Sequence, residues 1–283
     1  MKNFSIVVLD LGGTKVNVGR YRAGKIEQNI ILSFDSNLSV SDSIDFLADC
    51  VSQLRVSDTV AIAIGVPSIV DIEKGVVYNA VNIQSWEKVH LKDELQSRCG
   101  LSVYVNNDVN CFAKGEQLVG VGLGCKNMIG LCLGTGLGAG IIVNGSTYSG
   151  VNCCAGEVGA FSYLDSTLDE YCSGKFFRQH SNQCGSELEQ SARAGNKQAL
   201  ELFSQYGRHL SVAISHLLLI FDPEIIVVGG SVANSFDLFI HAVWQSLGDF
   251  PYQNVIENLS IKQSNHPNSA LIGAAHFYLE SVE

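Results

Sequence analysis

The sequence predicts an α/β fold of two similar lobes. Its 283 residues exceed what one hydrophobic core holds comfortably, on a scale of roughly 100–200 residues per domain. Apolar, strand-like runs are interleaved with stretches of helical periodicity, the pattern of an α/β protein. One supersecondary unit also occurs twice. Leu11-Gly12-Gly13-Thr14 is matched by Leu133-Gly134-Thr135-Gly136 about 122 residues later, and each is followed by an apolar run and a second turn, at Ala23-Gly24 and Asn144-Gly145. Such a repeat sets the architecture: two lobes, each presenting a glycine turn to a shared cleft. The expected N-terminal lobe covers 1–112 and is completed by the C-terminal helix, about 269–283; the larger lobe covers 113–268.

The elements follow in order. "SIVVLDLGGTKVNVGRYRAGKI" reads as strand, turn, strand, turn. Val40, Ile44, Leu47, Val51 and Leu54 recur at helical spacing, with Ser41 or Asp42 available as N-cap. "TVAIAIGV" is a buried strand stopping at Pro67, and "LSVYVNND" is a strand that delivers Asn107 and Asp108 to its C-terminal end. Helical periodicity then runs to about Leu118, with Asp108 placed to cap it. A second strand–turn–strand follows in "NMIGLCLGTGLGAGIIVNGSTY". A long helix carries Leu202, Tyr206, Leu210, Ala213, Leu217 and Phe221 on one face. The strand "EIIVV" leads to Gly229-Gly230, and a small-residue helix, 269–281, ends the chain.

Composition removes several classes of function. The net charge of −10, from 28 acidic and 18 basic residues, repels a phosphate backbone and argues against nucleic acid as a partner. Nine cysteines without a regular framework, in a chain too large to need staples, point to a reducing cytoplasm. Residues 127–156 carry no charge, but their apolar part, Met128 to Val143, is sixteen residues broken by five glycines. A membrane helix needs about 20 apolar residues, so buried strand and turn are expected instead, with no membrane partner.

The chemistry is concentrated at the turns. A carboxylate, Asp10, beside glycines that let a ligand approach the backbone, followed by Thr14 and Lys15, suggests a Mg²⁺–phosphate site. The stretch fits neither G-x-x-x-x-G-K-[ST] nor G-x-G-x-x-G, and a ligand-free tight turn accounts for the same residues. The remaining motifs decide the direction. "DLGGTK" (10–15), "GVPSIVD" (65–71), "VNIQSW" (81–86), "NNDVNCFAKGE" (106–116), "LGTGLGAGIIVNG" (133–145), "AGEVG" (155–159) and "VVGGSV" (227–232) stand in an order and at spacings that resemble the ROK family of repressors and sugar kinases. That family lies within the actin–hexokinase–Hsp70 superfamily, and the resemblance covers almost the whole chain. It implies a two-lobed actin-like ATPase (ribonuclease H-like) fold with a nucleotide and sugar cleft between lobes.

The resemblance also implies roles. Asp10 would hold Mg²⁺ through water. Gly12, Gly13, Thr14 and Lys15 would face the γ-phosphate of ATP, and Gly134, Thr135 and Gly136 the β-phosphate, while Gly229 and Gly230 would leave room for adenosine. Asp108 matches the catalytic base; Gly65, Asn82, Asn107, Asp108, Glu157 and Asp169 match the sugar-binding set. A homodimer is implied as well. Asp108 also suits a plain helix N-terminus, and a hydroxyl attacking phosphorus needs such a carboxylate within reach.

One stretch departs from the family. The usual signature runs from E-x-G-H into C-x-C-G-x-x-G-C-x-E, which binds structural zinc. Here "GEVGAFSYLDSTLDEYCSGK" has Ala160 at the histidine position, Thr167 at the last zinc cysteine and Asp169 at the sugar-binding glutamate. No zinc site is expected. Neither Cys172, His180 and Cys184 nor the adjacent Cys153-Cys154 has a recognised ligand spacing. Packing through Phe161, Tyr163 and Leu168 is expected to hold the loop instead. The expected activity is ATP-dependent phosphorylation of a glucose-like aldohexose, most simply at O6, with an N-acetylhexosamine such as N-acetylmannosamine as the alternative and fructose or allose behind it. The family's repressors carry a helix-turn-helix before the first glycine turn. Nine residues precede Asp10 here, and the chain is acidic, so a kinase is expected over a repressor. Retention of Asp10 and Asp108 argues against an inactive sugar sensor.

Overall fold

The computed structural model describes residues 4–181, 183 and 185–282. It divides into two compact units. The first comprises 1–123, 147–155 and 266–283, and the second 124–146 and 156–265. The first unit thus runs past residue 112 to include the whole helix from Asp108, because that helix packs on the C-terminal helix.

The first unit is built on a five-stranded sheet. Its strands β1 (Ser5–Leu11), β2 (Lys15–Arg22), β3 (Lys25–Ser33) and β4 (Thr59–Val66) join Ser102–Asn107 in the order β3, β2, β1, β4, Ser102–Asn107. β1, β4 and Ser102–Asn107 run parallel, and β2 and β3 are antiparallel. Successive side chains of a strand face opposite ways, and here each face meets its own core. Val7, Leu9, Leu11, Ile62, Ile64, Val66, Val103 and Val105 pack with Ile44, Leu47, Val51, Leu91 and Leu95. Those partners come from the helices α1 (Val40–Leu54) and α2 (Leu91–Cys99). Ile6, Val8, Ala61 and Ala63 pack instead with Cys111 of α3 (Asp108–Val119) and with Leu271, Ile272 and Ala275 of the C-terminal helix Ser269–Ser281.

Two helix starts differ from the sequence reading. α1 is capped by Ser39, whose side chain accepts from Asp42 N–H at 3.1 Å, and not by Ser41 or Asp42. α3 is capped by Asn107, whose Oδ1 accepts from Val109 and Asn110 N–H at 2.9 and 3.0 Å. Asp108 is therefore the first helical residue rather than the cap. An amide one residue earlier reaches the free N–H groups of the first turn better than a side chain already on the helix.

The second unit repeats the plan. Its sheet has the order Ser146–Thr147, Leu137–Val143, Met128–Leu133, Ile225–Gly229, Ser260–Gln263, again an antiparallel hairpin followed by parallel strands. The likeness reaches the outer turns. Ala23 and Gly24 have φ of 47° and 90°, and Asn144 and Gly145 have 51° and 83°, the two positive values of a type I′ hairpin turn. The helix Lys197–Phe221 buries Phe203, Tyr206, Leu210, Ala213, Ile214 and Leu217. Phe203 takes the inward position expected for Leu202, which is only half-buried, as is Phe221. Among the described residues no helix is long and apolar enough to cross a membrane.

Glycines let α3 and the C-terminal helix touch backbone to backbone. A Cβ on Gly115 would overlap the Ser269 carbonyl, and one on Gly273 would overlap the Cys111 carbonyl. The buried Glu116 carboxylate accepts from Ser269 Oγ at 2.6 Å beside them. Overpacking typically costs about 1–3 kcal/mol, which at this size lowers Tm by roughly 2–5 °C. Gly273→Ala is therefore expected to lower Tm by several degrees in a calorimetric scan, whereas Gly24→Ala, where a Cβ meets nothing within 4 Å, pays only for its positive φ.

Candidate functional site

In the first unit the parallel register builds the site. Asp10 of β1 lies opposite Gly65 of β4, Gly65 lies opposite Asn106, and Val66 lies opposite Asn107. All stand at the C-terminal ends of parallel strands, where α/β sheets present ligand-binding groups. Asp108 follows at once. A Cβ on Gly65 would lie 3.2 Å from Asp108 Cα and 3.3 Å from Cys111 Sγ, so glycine is what lets the start of α3 seat against β4. The Cys111 thiol is pushed up by burial first, then by the charges of Asp10 and Asp108, which places both carboxylates near one buried sulfur.

The glycine turn closes with Gly12 N–H donating to the Lys15 carbonyl at 2.9 Å. A Cβ on Gly13 would meet Asn82 Cβ at 2.9 Å, so the turn and Asn82 (φ 65°) are neighbours. Asn107 is partly engaged by the fold: its Oδ1 caps α3 and its Nδ2 donates to the Ser68 carbonyl at 3.2 Å. An amide nitrogen carries two protons, and the second is what Asn107 has to offer a hydroxyl. Below them lies a buried polar network: Asn106 Oδ1 accepts from Asn107 N–H at 2.8 Å and Asn110 Nδ2 at 3.3 Å. Burial pushes Asp10 up from 3.8 to about 6, against the lowering effect of the Lys15 charge.

In the second unit the turn Gly134-Thr135-Gly136 joins Met128–Leu133 to Leu137–Val143, and Gly134 N–H donates to the Gly136 carbonyl at 3.0 Å. Gly229 lies opposite Cys132 on the neighbouring parallel strand. Gly230, with φ 89°, packs where a Cβ would overlap the Leu133 carbonyl, so the second glycine pair sits against the base of this hairpin. Glu157 is held on the same hairpin, since Ala139 N–H donates to the Gly156 carbonyl at 2.9 Å. Burial raises Glu157, and the nearby Asp169 charge raises it further. Asp169 itself accepts from Leu137 N–H at 2.6 Å and pairs with Lys175 Nζ at 2.7 Å. Leu137 lies within the 133–145 glycine motif, but no motif or periodicity pairs its amide or Lys175 with Asp169.

The segment that departs from the zinc signature is a small hairpin, Ser162–Tyr163 against Ser166–Thr167, leading into the short helix Leu168–Cys172. Leu168 and Cys172 are fully buried. Tyr163 Oη lies 3.0 Å from His209 Nδ1, and its ring packs edge-on against Tyr171 and His209. Phe161 stands over His216 but stays partly exposed. Tyr206 Oη donates to the Cys172 carbonyl at 2.8 Å. His180 stacks on Phe176 and bonds its carbonyl through Nδ1 at 2.9 Å. Cys184 lies outside the described residues. Among the described residues no group of three or more His, Cys, Asp or Glu is gathered to hold a metal.

The ROK family model matches residues 6–281. The glucokinase of Thermotoga maritima is 26% identical, over 100% of this chain and 99% of that protein. The glucokinase of Halalkalibacterium halodurans is 29% identical over 76% of this chain and 74% of its own. Among solved structures, a ROK family glucokinase from Streptomyces griseus, in complex with glucose and AMPPNP, superimposes with a TM-score of 0.83. It is 24% identical and is covered to 98%, against 96% of this chain. The fold is thus that of the actin-like sugar kinases.

The Asp10 environment makes a measurable demand on stability. With its folded pKa raised, Asp10 holds its proton more tightly in the folded than in the unfolded chain between about 3.8 and 6. The penalty for burying the ion is complete above about 6 and absent below 3.8, and amounts to about 2–3 kcal/mol by the pKa difference. In metal-free buffer, Asp10→Asn is expected to melt roughly 5 °C above wild type at pH 7.5, and the gap should close toward pH 4.5. Equal melting temperatures at pH 7.5 would contradict the burial of a charged Asp10.

Proposed function

Since this chain belongs to the ROK family, we propose that it is an ATP-dependent sugar kinase transferring the γ-phosphate to a hexose hydroxyl, O6 of a glucose-like aldohexose. The observation that carries this reading is the alignment of Asp10, Gly65 and Asn106 across three parallel strands with Asp108 beside them. It gathers a carboxylate for a metal, a close-approach glycine and a carboxylate base at one sheet end. Asn82, Asn107 and Glu157 supply amide and carboxylate groups that orient the sugar. Asp108 accepts the proton of the attacking hydroxyl as the new oxygen–phosphorus bond forms and the bond to the ADP oxygen breaks. The amides of Gly12, Gly13 and Thr14, with Lys15, meet the γ-phosphate, and those of Gly134, Thr135 and Gly136 the β-phosphate. Peptide N–H groups do this without net positive charge, which suits a chain of charge −10. Gly229 and Gly230 leave space for adenosine.

Asp10 fits Mg²⁺. It is a single hard oxygen donor in a half-buried setting that disfavours a bare carboxylate, and Mg²⁺ is ordinarily held by one or two carboxylates together with waters and substrate phosphates. Bound there, the ion would neutralise charge on the transferring phosphate. Nine cysteines without a regular framework support a reducing, cytoplasmic setting. A homodimer belongs to the same reading and is read by sedimentation velocity.

Asp108→Asn is expected to lower kcat by roughly 10²-fold or more while calorimetric sugar binding persists; wild-type turnover would remove Asp108 from the role. A coupled assay over glucose, mannose, fructose, allose and the N-acetylhexosamines tests the substrate, and higher kcat/KM for N-acetylmannosamine than for glucose would replace the aldohexose reading with the N-acetylhexosamine one. The buried Leu168 and the aromatic contacts around His209 support a loop ordered without metal. Elemental analysis is expected to find no stoichiometric zinc, and Mg²⁺ alone should restore activity after chelation.

A further inference from the structure

Asp169 stands where the resemblance implies a sugar ligand, yet both of its oxygens meet protein donors. Oδ1 accepts from Leu137 N–H at 2.6 Å, and Oδ2 lies 2.7 Å from Lys175 Nζ. Leu137 is the first residue after the turn Gly134-Thr135-Gly136. Its N–H belongs to the same peptide plane as the Gly136 carbonyl, which closes that turn by accepting from Gly134 N–H at 3.0 Å. Lys175 is tied to the turn by a second route, because the preceding residue, Gly174, donates its N–H to the Gly134 carbonyl at 2.8 Å. The contacts form a closed ring: turn, Leu137, Asp169, Lys175, Gly174, turn. The carboxylate also fits closely. A Cβ on Gly136 would lie 3.1 Å from Asp169 Oδ1, and one on Gly159 would lie 3.2 Å from it.

We infer that Asp169, with Lys175, is a positioning residue for the phosphate-binding turn of the second unit rather than a ligand of the sugar. A turn with glycines at two of its three positions samples many backbone states when nothing holds it. Ordering it on binding would weaken nucleotide affinity. The charge-assisted bond from Leu137 N–H fixes the Gly136–Leu137 peptide in advance, and with it the amides of Thr135 and Gly136 that precede it. Lys175, which also meets Glu170 Oε1 at 2.7 Å, offsets part of the carboxylate's charge and so reduces its opposition to the phosphate. The inference rests on the kinase reading for its catalytic consequence, but the ring of contacts can be measured without it.

The test compares wild type with Asp169→Ala, Asp169→Asn and Lys175→Met, by steady-state kinetics with the best sugar of the panel and by hydrogen exchange at Leu137. Asp169→Ala is expected to raise the KM for ATP by roughly 3–30-fold, to leave the sugar KM within about twofold, and to speed Leu137 exchange about tenfold or more. Asp169→Asn keeps an acceptor for Leu137 but loses the charge facing Lys175, so it and Lys175→Met should shift in the same direction by less. They also decide the matter if the alanine variant does not fold. A rise in sugar KM that exceeds the rise in ATP KM overturns the inference, as does Leu137 exchange at the wild-type rate in every variant. If wild type phosphorylates no sugar, the kinase reading fails by itself. Leu137 exchange and calorimetric titration with ADP then decide the role of Asp169, with faster exchange and weaker ADP binding supporting it and wild-type values of either overturning it.

Discussion

The parallel register of β1, β4 and Ser102–Asn107 is the constraint on which the first unit depends. These strands are buried on both faces, with Val7, Leu9, Ile62 and Val103 turned toward α1 and α2, and with Ile6, Val8, Ala61 and Ala63 turned toward α3 and the C-terminal helix. A slip of one residue would exchange the two sets. It would bring Ile62 and Ile64 of β4 against helices that are seated there on Ala61 and Ala63. The same register sets Asp10 level with Gly65 and Asn106, so hydrophobic burial places the polar row that the proposed chemistry uses.

Close backbone approach is the second recurring device. Gly65 admits the start of α3, Gly13 admits Asn82, and Gly115 with Gly273 lets α3 and the C-terminal helix meet at their backbones. In the second unit Gly136, Gly159 and Gly230 perform the same service for Asp169 and the Leu133 carbonyl. Gly13, Gly65, Gly136 and Gly230 thus each make room for a named neighbour. That neighbour is often a group with a polar task, which is why the glycines and the polar residues are found together.

The segment that departs from the zinc signature is packed through its rings. Leu168 and Cys172 are buried, Tyr163, Tyr171, Phe176 and His209 pack their rings together, and Tyr206 bonds the Cys172 carbonyl. Burial, followed by the charges of His180 and Arg208, lowers the His209 pKa below 6.5. The imidazole is therefore neutral at neutral pH, and the ring cluster carries no charge at its centre. Dispersion and burial among these rings contribute to the order of the segment.

Much of this was legible in the sequence alone. The repeated glycine hairpin, the helices at 40–54 and 269–281, the strands ending at Val66 and Asn107, and the pairing of Asp10 with a glycine turn all follow from periodicity and spacing, because local geometry is a local property of the chain. Caps were less legible. Ser39 and Asn107 displaced the expected Ser41, Asp42 and Asp108 by one to three residues, since a cap is chosen by which side chain reaches the free N–H groups. Phe203 in place of Leu202 is the same kind of shift, decided by the packing of the long helix. What only the tertiary structure decided are the pairings between residues distant in sequence: Gly13 with Asn82, Glu116 with Ser269, and above all Leu137 with Asp169 and Lys175. Residue type and spacing show that a carboxylate is present at 169. That the Leu137 amide occupies one of its oxygens depends on how a strand and a helix more than thirty residues apart are brought together, and no local pattern encodes that.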